Sequence, residues 1–179
     1  MSEFISEVGN TIARASIGTG YFPSVIIAQA ILESNWGNST LTKSYNNFFG
    51  IKAGSTWQGQ TVDMQTGEVF DGKEVLIYDA FRVYETKEKS IKDRISWMQE
   101  TQRYAGVEIL DTPELQVKEI QRSGYATDPN YADKIIQLIN DYDLIQYDKN
   151  KQIMKAINIT IAVLLLVVAL LGIYKNLKY

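Results

Sequence analysis

Apolar side chains recur at helical spacing from the start of the chain. Phe4, Ile5, Val8, Ile12 and Ala13 fall on one face and predict a first helix. Pro23 suits the first turn of a second, which runs through Val25-Ile26-Ile27-Ala28-Gln29-Ala30-Ile31-Leu32. Between Thr56 and Tyr84 the pattern changes. Trp57, Thr61, Val62, Val69, Phe70, Val75, Leu76, Ile77 and Tyr78 favour strands, and Asp71-Gly72 is a hairpin turn signal. Helical spacing returns with Ile91, Ile95 and Met98. Thr112-Pro113-Glu114 and Asp128-Pro129 then predict helix starts, each a capping side chain followed by proline. A last helix carries Ile135, Leu138, Ile139 and Tyr142 on one side. The predicted head is mainly α, with one small β excursion.

Residues 156–174 break with this periodicity. The run carries no charge, and only Asn158, Thr160 and Gly172 interrupt its apolar character. About 20 such residues cross a bilayer as a helix. Lysines flank it (Lys149, Lys151 and Lys155 before, Lys175 and Lys178 after), and Tyr174 and Tyr179 stand where interfacial anchors would. A core helix of so small a domain is rarely apolar on every face, so the run predicts a transmembrane helix that contacts the lipid bilayer. The expected organisation is a domain at 1–145, a linker at 146–155, the membrane helix at 156–174 and a polar tail at 175–179. Fully extended, the linker reaches only about 35 Å, which keeps the head near its membrane.

Composition narrows the chemistry. The 179 residues include no histidine and no cysteine. No Ser-His-Asp or Cys-His dyad, no His- or Cys-ligated metal and no disulfide is available. Proton transfer must use Asp, Glu, Lys or Tyr. A net charge of −3 argues against nucleic acid as a partner.

Glu33 ends the apolar run Ile26–Leu32 and is followed by Ser34-Asn35-Trp36-Gly37. A carboxyl group beside such a segment is partly desolvated and stays protonated near neutral pH, the state in which a general acid protonates a glycosidic oxygen. A surface glutamate at a helix end is the plainer alternative.

At this stretch the sequence resembles a known family. Ala28-Gln29-Ala30-Ile31-Leu32-Glu33-Ser34-Asn35-Trp36-Gly37 is similar to the acid-bearing helix of glycoside hydrolase family 73, the bacterial peptidoglycan N-acetylglucosaminidases. Asn46-Asn47-Phe48-Phe49-Gly50-Ile51-Lys52 resembles that family's turn, and Phe81-Arg82-Val83-Tyr84 its strand end. Gly124-Tyr125-Ala126-Thr127-Asp128-Pro129-Asn130-Tyr131-Ala132-Asp133-Lys134-Ile135 resembles its C-terminal signature. The resemblance implies a lysozyme-like α+β fold, in which an α-lobe carrying Glu33 faces a small β-hairpin lobe. It further implies a second carboxylate at Glu68, with Glu74 the weaker candidate, and a catalytic tyrosine at Tyr125. A base at Glu68 acting through water would stand about 6.5–9.5 Å from Glu33, and a direct nucleophile about 5–5.5 Å. The substrate's own N-acetyl group is a third option. Trp36, Phe48 and Trp57 are candidates to stack on sugar rings or to pack internally. Asn46 and Asn47 are candidates to bind glycan or brace their turn, and Tyr131 to touch substrate or join the core. Arg82 is expected to pin the β-lobe through a carboxylate. The implied reaction needs no cofactor and no metal.

The implied activity is cleavage of the β-1,4 bond between N-acetylglucosamine and N-acetylmuramic acid in the peptidoglycan glycan strand. Its rivals are a lytic transglycosylase or muramidase using Glu33 alone, and a non-catalytic membrane structural protein with a wall-binding fold. The first residues, Met1-Ser2-Glu3-Phe4-Ile5-Ser6-Glu7, lack the basic and apolar stretches of a signal peptide. Together with the apolar run, this leads to the expectation of a head made in the host cytoplasm and anchored in the inner membrane of a phage virion. There, other virion or capsid proteins would be partners; the bacterial cell membrane is the alternative.

Overall fold

The computed structural model describes residues 2–70, 73–149 and 160, and side chains throughout these except at 2, 68–70 and 73–74. Helix α1 (Ser2–Ala15) buries Ile5, Val8 and Ile12, the face that its periodicity marks. Helix α2 (Pro23–Ser34) is buried from Pro23 to Ile31. A helix apolar on every side has to lie inside the domain, and α2 packs against α1, α5 (Pro113–Arg122) and α6 (Tyr131–Asp141). Helix α4 (Lys87–Glu100) crosses α1 and adds Ile91, Ile95 and Met98 to the same core. Helix α3 (Thr40–Tyr45), which the periodicity does not announce, spans six residues, too few to show a repeat. Ser39 caps it by accepting from Thr42 N.

The β excursion is a two-stranded antiparallel hairpin, β1 (Thr61–Phe70) and β2 (Lys73–Arg82). Its register pairs Phe70 with Lys73, and the expected turn residues Asp71 and Gly72 lie outside the described residues. Two backbone bonds stitch the hairpin's base to the helical lobe: Ala53 N donates to Ala80 O at 2.7 Å and Arg82 N to Ile51 O at 3.0 Å. Asn47, 1% exposed, completes the joint. Its Nδ2 donates to Ile51 O and Arg82 O, and its Oδ1 accepts from Ile51 N. Asn47→Ala would strand these buried groups, so urea unfolding should show a loss of about 2 kcal/mol. Unchanged stability would mean that the joint does not depend on this amide.

Arg82 meets the expected carboxylate. Its Nη1 lies 2.7 Å from Asp93 Oδ2, to which the Tyr84 hydroxyl donates at 2.6 Å.

Two expectations shift. Thr112 caps α5 by accepting from Leu115 N. Asp128, by contrast, accepts from Asn130 N, and α6 begins at Tyr131. The side chain at the head of α6 is Gln121 of α5, whose Oε1 accepts from Ala132 N and whose Nε2 donates to Pro129 O. The domain also continues past 145. A 3-10 turn, Leu144–Asp148, packs on α2, with Tyr147 against the core and Asp148 1% exposed. The residues there called linker begin as core because α2 needs a cap. Phe22 supplies no side-chain bond at its start, and Asp148 does: Oδ1 accepts from Ser24 N at 2.8 Å and Oδ2 from Ser24 Oγ at 2.7 Å. The expected membrane helix, 156–174, lies outside the described residues apart from Thr160. Among those described, no helix is long and apolar enough to cross a membrane.

Candidate active site

Glu33 is the next-to-last residue of α2, where the buried helix reaches the surface. The helix stops there because Asn35 (φ 50°) and Trp36 (φ 58°) enter the left-handed region, and Ser34 closes the end by donating to Ala30 O and accepting from Gly37 N. The carboxyl group is thus fixed at a rigid helix terminus, partly shielded from solvent. Burial raises its pKa from 4.5 to about 7, against the opposing effects of a hydrogen bond from Tyr131 and the charge of Arg94. The Tyr131 hydroxyl donates to Glu33 Oε1 at 3.3 Å. That is long for an O–H···O contact and leaves room to tighten around a substrate.

Tyr131, 3% exposed, belongs to the core as well as to the site: Gln29 Nε2 donates to its hydroxyl at 2.9 Å. Tyr125 follows Gly124, which takes φ +77° as α5 ends. In this left-handed conformation glycine carries no Cβ penalty. The Tyr125 ring lies 5.5 Å from Tyr131 and 6.2 Å from both Trp97 and Tyr104. Burial, then the nearby Glu33 carboxylate, pushes the Tyr125 hydroxyl well above the ordinary tyrosine pKa. It is a neutral hydrogen-bond donor at any physiological pH. Glu33, Tyr131 and Tyr125 therefore form one cluster, contributed by α2, α6 and the segment between α5 and α6. Its chemistry is that of a carboxyl that still holds a substantial share of its protons at neutral pH, beside two neutral phenols.

The remaining expected residues lie as follows. Glu68 occupies the position opposite Val75 in β1, and Glu74 that opposite Val69; both side chains lie outside those described. Trp36 pairs with Phe4 at 6.1 Å and Tyr142 at 4.8 Å. After its left-handed backbone the ring packs against Phe4 of α1 and Tyr142, and the aromatic hydroxyl on the acid comes from Tyr131 of α6. Phe48 is in the core. Asn46 donates to Tyr84 O and Glu85 O, and Asn47 holds the hairpin joint described above. Trp57 donates to Gln60 O and stacks under the Arg82 guanidinium, 4.6 Å from its ring centre.

Two residues that sequence reasoning passed over lie directly behind the acid. Gln29 is fully buried in α2, and Arg94 is fully buried in α4. Arg94 Nη2 donates to Gln29 Oε1. Each carries a signal in the pattern: Gln29 is the single polar residue in an apolar helical run, and Arg94 sits in the buried stripe Ile91, Ile95, Met98. A charge on such a stripe needs a buried partner.

Comparison with known proteins shows what this arrangement is similar to. Residues 9–144 match the glucosaminidase family model, described as mannosyl-glycoprotein endo-beta-N-acetylglucosaminidase. The exo-glucosaminidase LytG of Bacillus subtilis is 39% identical over 148 residues, which are 79% of this chain and 51% of LytG. The peptidoglycan hydrolase FlgJ of Pseudomonas aeruginosa is 37% identical over 149 residues, 80% of this chain and 37% of FlgJ. The chain thus spans about half, or less, of these curated relatives. Among solved structures, the catalytic domain of the autolysin Auto from Listeria monocytogenes is 33% identical with a TM-score of 0.72, covering 82% of this chain and 86% of that one. A peptidoglycan hydrolase mutant from Sphingomonas sp. A1 is 32% identical with a TM-score of 0.73, covering 82% and 97%.

Proposed function

This chain belongs to the glucosaminidase family of glycoside hydrolases, and on that premise we propose that it hydrolyses peptidoglycan at the β-1,4 bond between N-acetylglucosamine and N-acetylmuramic acid. The observation that carries the proposal is Glu33: a shielded carboxyl at a rigid helix end, still substantially protonated at neutral pH and held by Tyr131. In the proposed reaction its proton passes to the glycosidic oxygen as the bond to the anomeric carbon breaks. Positive charge then develops on the sugar ring, and the group that meets it is Glu68 or the substrate's own N-acetyl oxygen. Tyr125, a neutral donor beside Glu33, positions that N-acetyl group or the attacking water. Relatives named peptidoglycan hydrolase, autolysin and exo-glucosaminidase support the substrate class.

Product analysis tests the proposal. Digested peptidoglycan should yield fragments with reducing N-acetylglucosamine ends by mass spectrometry. Anhydro-muramic ends would identify a lytic transglycosylase, and reducing N-acetylmuramic ends a muramidase, the activity named for a relative from Lactococcus lactis. Intact sacculi would mark a non-catalytic wall-binding fold.

The same proposal places the domain on a membrane. The uncharged run at 156–174 is long enough to span a bilayer. Asp148 is held against α2, so the residues 149–155 between them reach about 25 Å at most. The proposed setting is the membrane of a phage particle, where the enzyme opens the wall locally during infection. Mass spectrometry of purified particles should detect the chain, and its absence would remove the phage setting.

A further inference from the structure

Behind the proposed acid lies a sealed chain of hydrogen bonds whose direction is set at its far end. Arg94 and Gln29 are fully buried and Tyr131 is 3% exposed, so water does not scramble the order. A guanidinium only donates. Gln29 must therefore turn its carbonyl oxygen toward Arg94 Nη2 and its amide nitrogen toward Tyr131. The reversed amide would set donor against donor in a dry interior, which is costly. The Tyr131 oxygen consequently accepts from Gln29, and its single hydrogen is left for Glu33 Oε1. With Oε1 already receiving a hydrogen, that oxygen takes the carbonyl role, the better acceptor of the two, and this favours the carboxyl's own proton on Oε2. Among the described residues, Nε and Nη1 of Arg94 have no hydrogen-bond partner; Nη2 donates to Gln29, and the guanidinium also interacts with the Tyr125 hydroxyl.

We infer that Arg94 and Gln29 are positioning residues, which act through Tyr131 to orient Glu33 and favour its transferable proton on Oε2. The inference rests on the proposed acid role of Glu33. The charged and titratable groups concerned are few. Tyr131, Tyr125 and Arg94 face Glu33, while Arg94 itself is ringed by Tyr21, Tyr104, Tyr125 and Tyr131, with Glu108 acting on Tyr21. Arg94 is the positive charge among them, and it opposes the burial that raises the acid's pKa.

Gln29→Glu tests the relay at constant size. A carboxylate at 29 still accepts from Arg94, but it also draws the Tyr131 hydrogen away from Glu33. The expected result is a kcat on peptidoglycan lower by about 10- to 100-fold with KM within about twofold, and an alkaline limb of the pH–rate profile moved upward. In a Tyr131→Phe background, Gln29→Glu should add no more than about a twofold loss, because the relay is already cut. Arg94→Lys keeps one charge and a donor for Gln29, so its kcat should stay within about fivefold. Wild-type kcat and pH profile in Gln29→Glu would overturn the relay. So would losses that multiply in the double variant, or a hundredfold loss in folded Arg94→Lys. Glu33→Gln separates the two proposals. If it stays active, the acid assignment fails; if it is inactive while Gln29→Glu behaves as wild type, only the relay fails.

Discussion

Glu33→Gln is expected to lower turnover of peptidoglycan by about 10²- to 10⁴-fold, the usual contribution of a positioned general acid, while making the domain more stable at pH 8. Both effects come from the same burial. The folded carboxyl titrates at about 7 and the free one at 4.5. Between these values the folded state holds a proton that the unfolded chain has released. Stability therefore falls as pH rises through that window. Above it, the native protein must hold an anion in a poorly solvated site. Glutamine is neutral throughout and still accepts from Tyr131. With the part-open face of the site reducing the cost, the variant should gain about 2 kcal/mol at pH 8 and nothing near pH 4. In a domain of this size that is a rise in melting temperature of about 4–8 °C. Thermal melts from pH 4 to 8 read the difference directly. A gap that does not widen with pH would contradict the raised pKa, and retained activity would remove Glu33 from the chemistry. The same titration sets the alkaline limb of the wild-type rate profile near pH 7, where Glu33 loses the proton it must donate.

Asp148→Ala should have the largest effect on folding of any single polar substitution considered, about 3 kcal/mol. It deletes both charge-assisted bonds to Ser24 and leaves that residue's backbone N–H buried without an acceptor. It also removes a negative charge from the positive end of the α2 dipole. Because Glu33 lies at the opposite end of α2, kcat measured well below the melting temperature should stay near wild type. Asp148→Asn keeps an acceptor for Ser24 N and should lose only about 1 kcal/mol. Denaturant unfolding of the two variants checks the order, and equal losses would show that the charge is immaterial. A chain ended at 145 should behave at least as badly as Asp148→Ala, since it also removes Tyr147, whose ring packs against Gly9 of α1.

Much of the fold follows from local pattern. α1, α2 and α4 appear in the sequence as apolar spacing, the hairpin as β-forming residues around Asp71-Gly72, and the start of α5 as Thr112 before Pro113. These signals are local because the forces behind them act over one helical turn or one strand pair. Asp128-Pro129 looked equally clear and misplaced the helix start, because the group heading α6 comes from Gln121 on a neighbouring helix. The domain's end was short for the same reason. Nothing in residues 146–148 advertises that Asp148 caps a helix 124 positions earlier.

For the site, the sequence alone determined the reaction's vocabulary. The absence of histidine and cysteine left carboxylates, lysines and tyrosines for proton transfer, and the apolar run before Glu33 marked it as a glutamate open to desolvation, with a surface position as the alternative. It could not determine which aromatic groups surround that carboxyl. Trp36, three residues away, is carried toward α1 by a left-handed turn, while Tyr131, 98 positions distant, donates to it. Only the tertiary structure decided that, and only it set Arg94 behind Gln29. Desolvation of a side chain is foreshadowed by its own helix, but the direction of a hydrogen bond depends on what stands at the other end, and here that end lies on another helix.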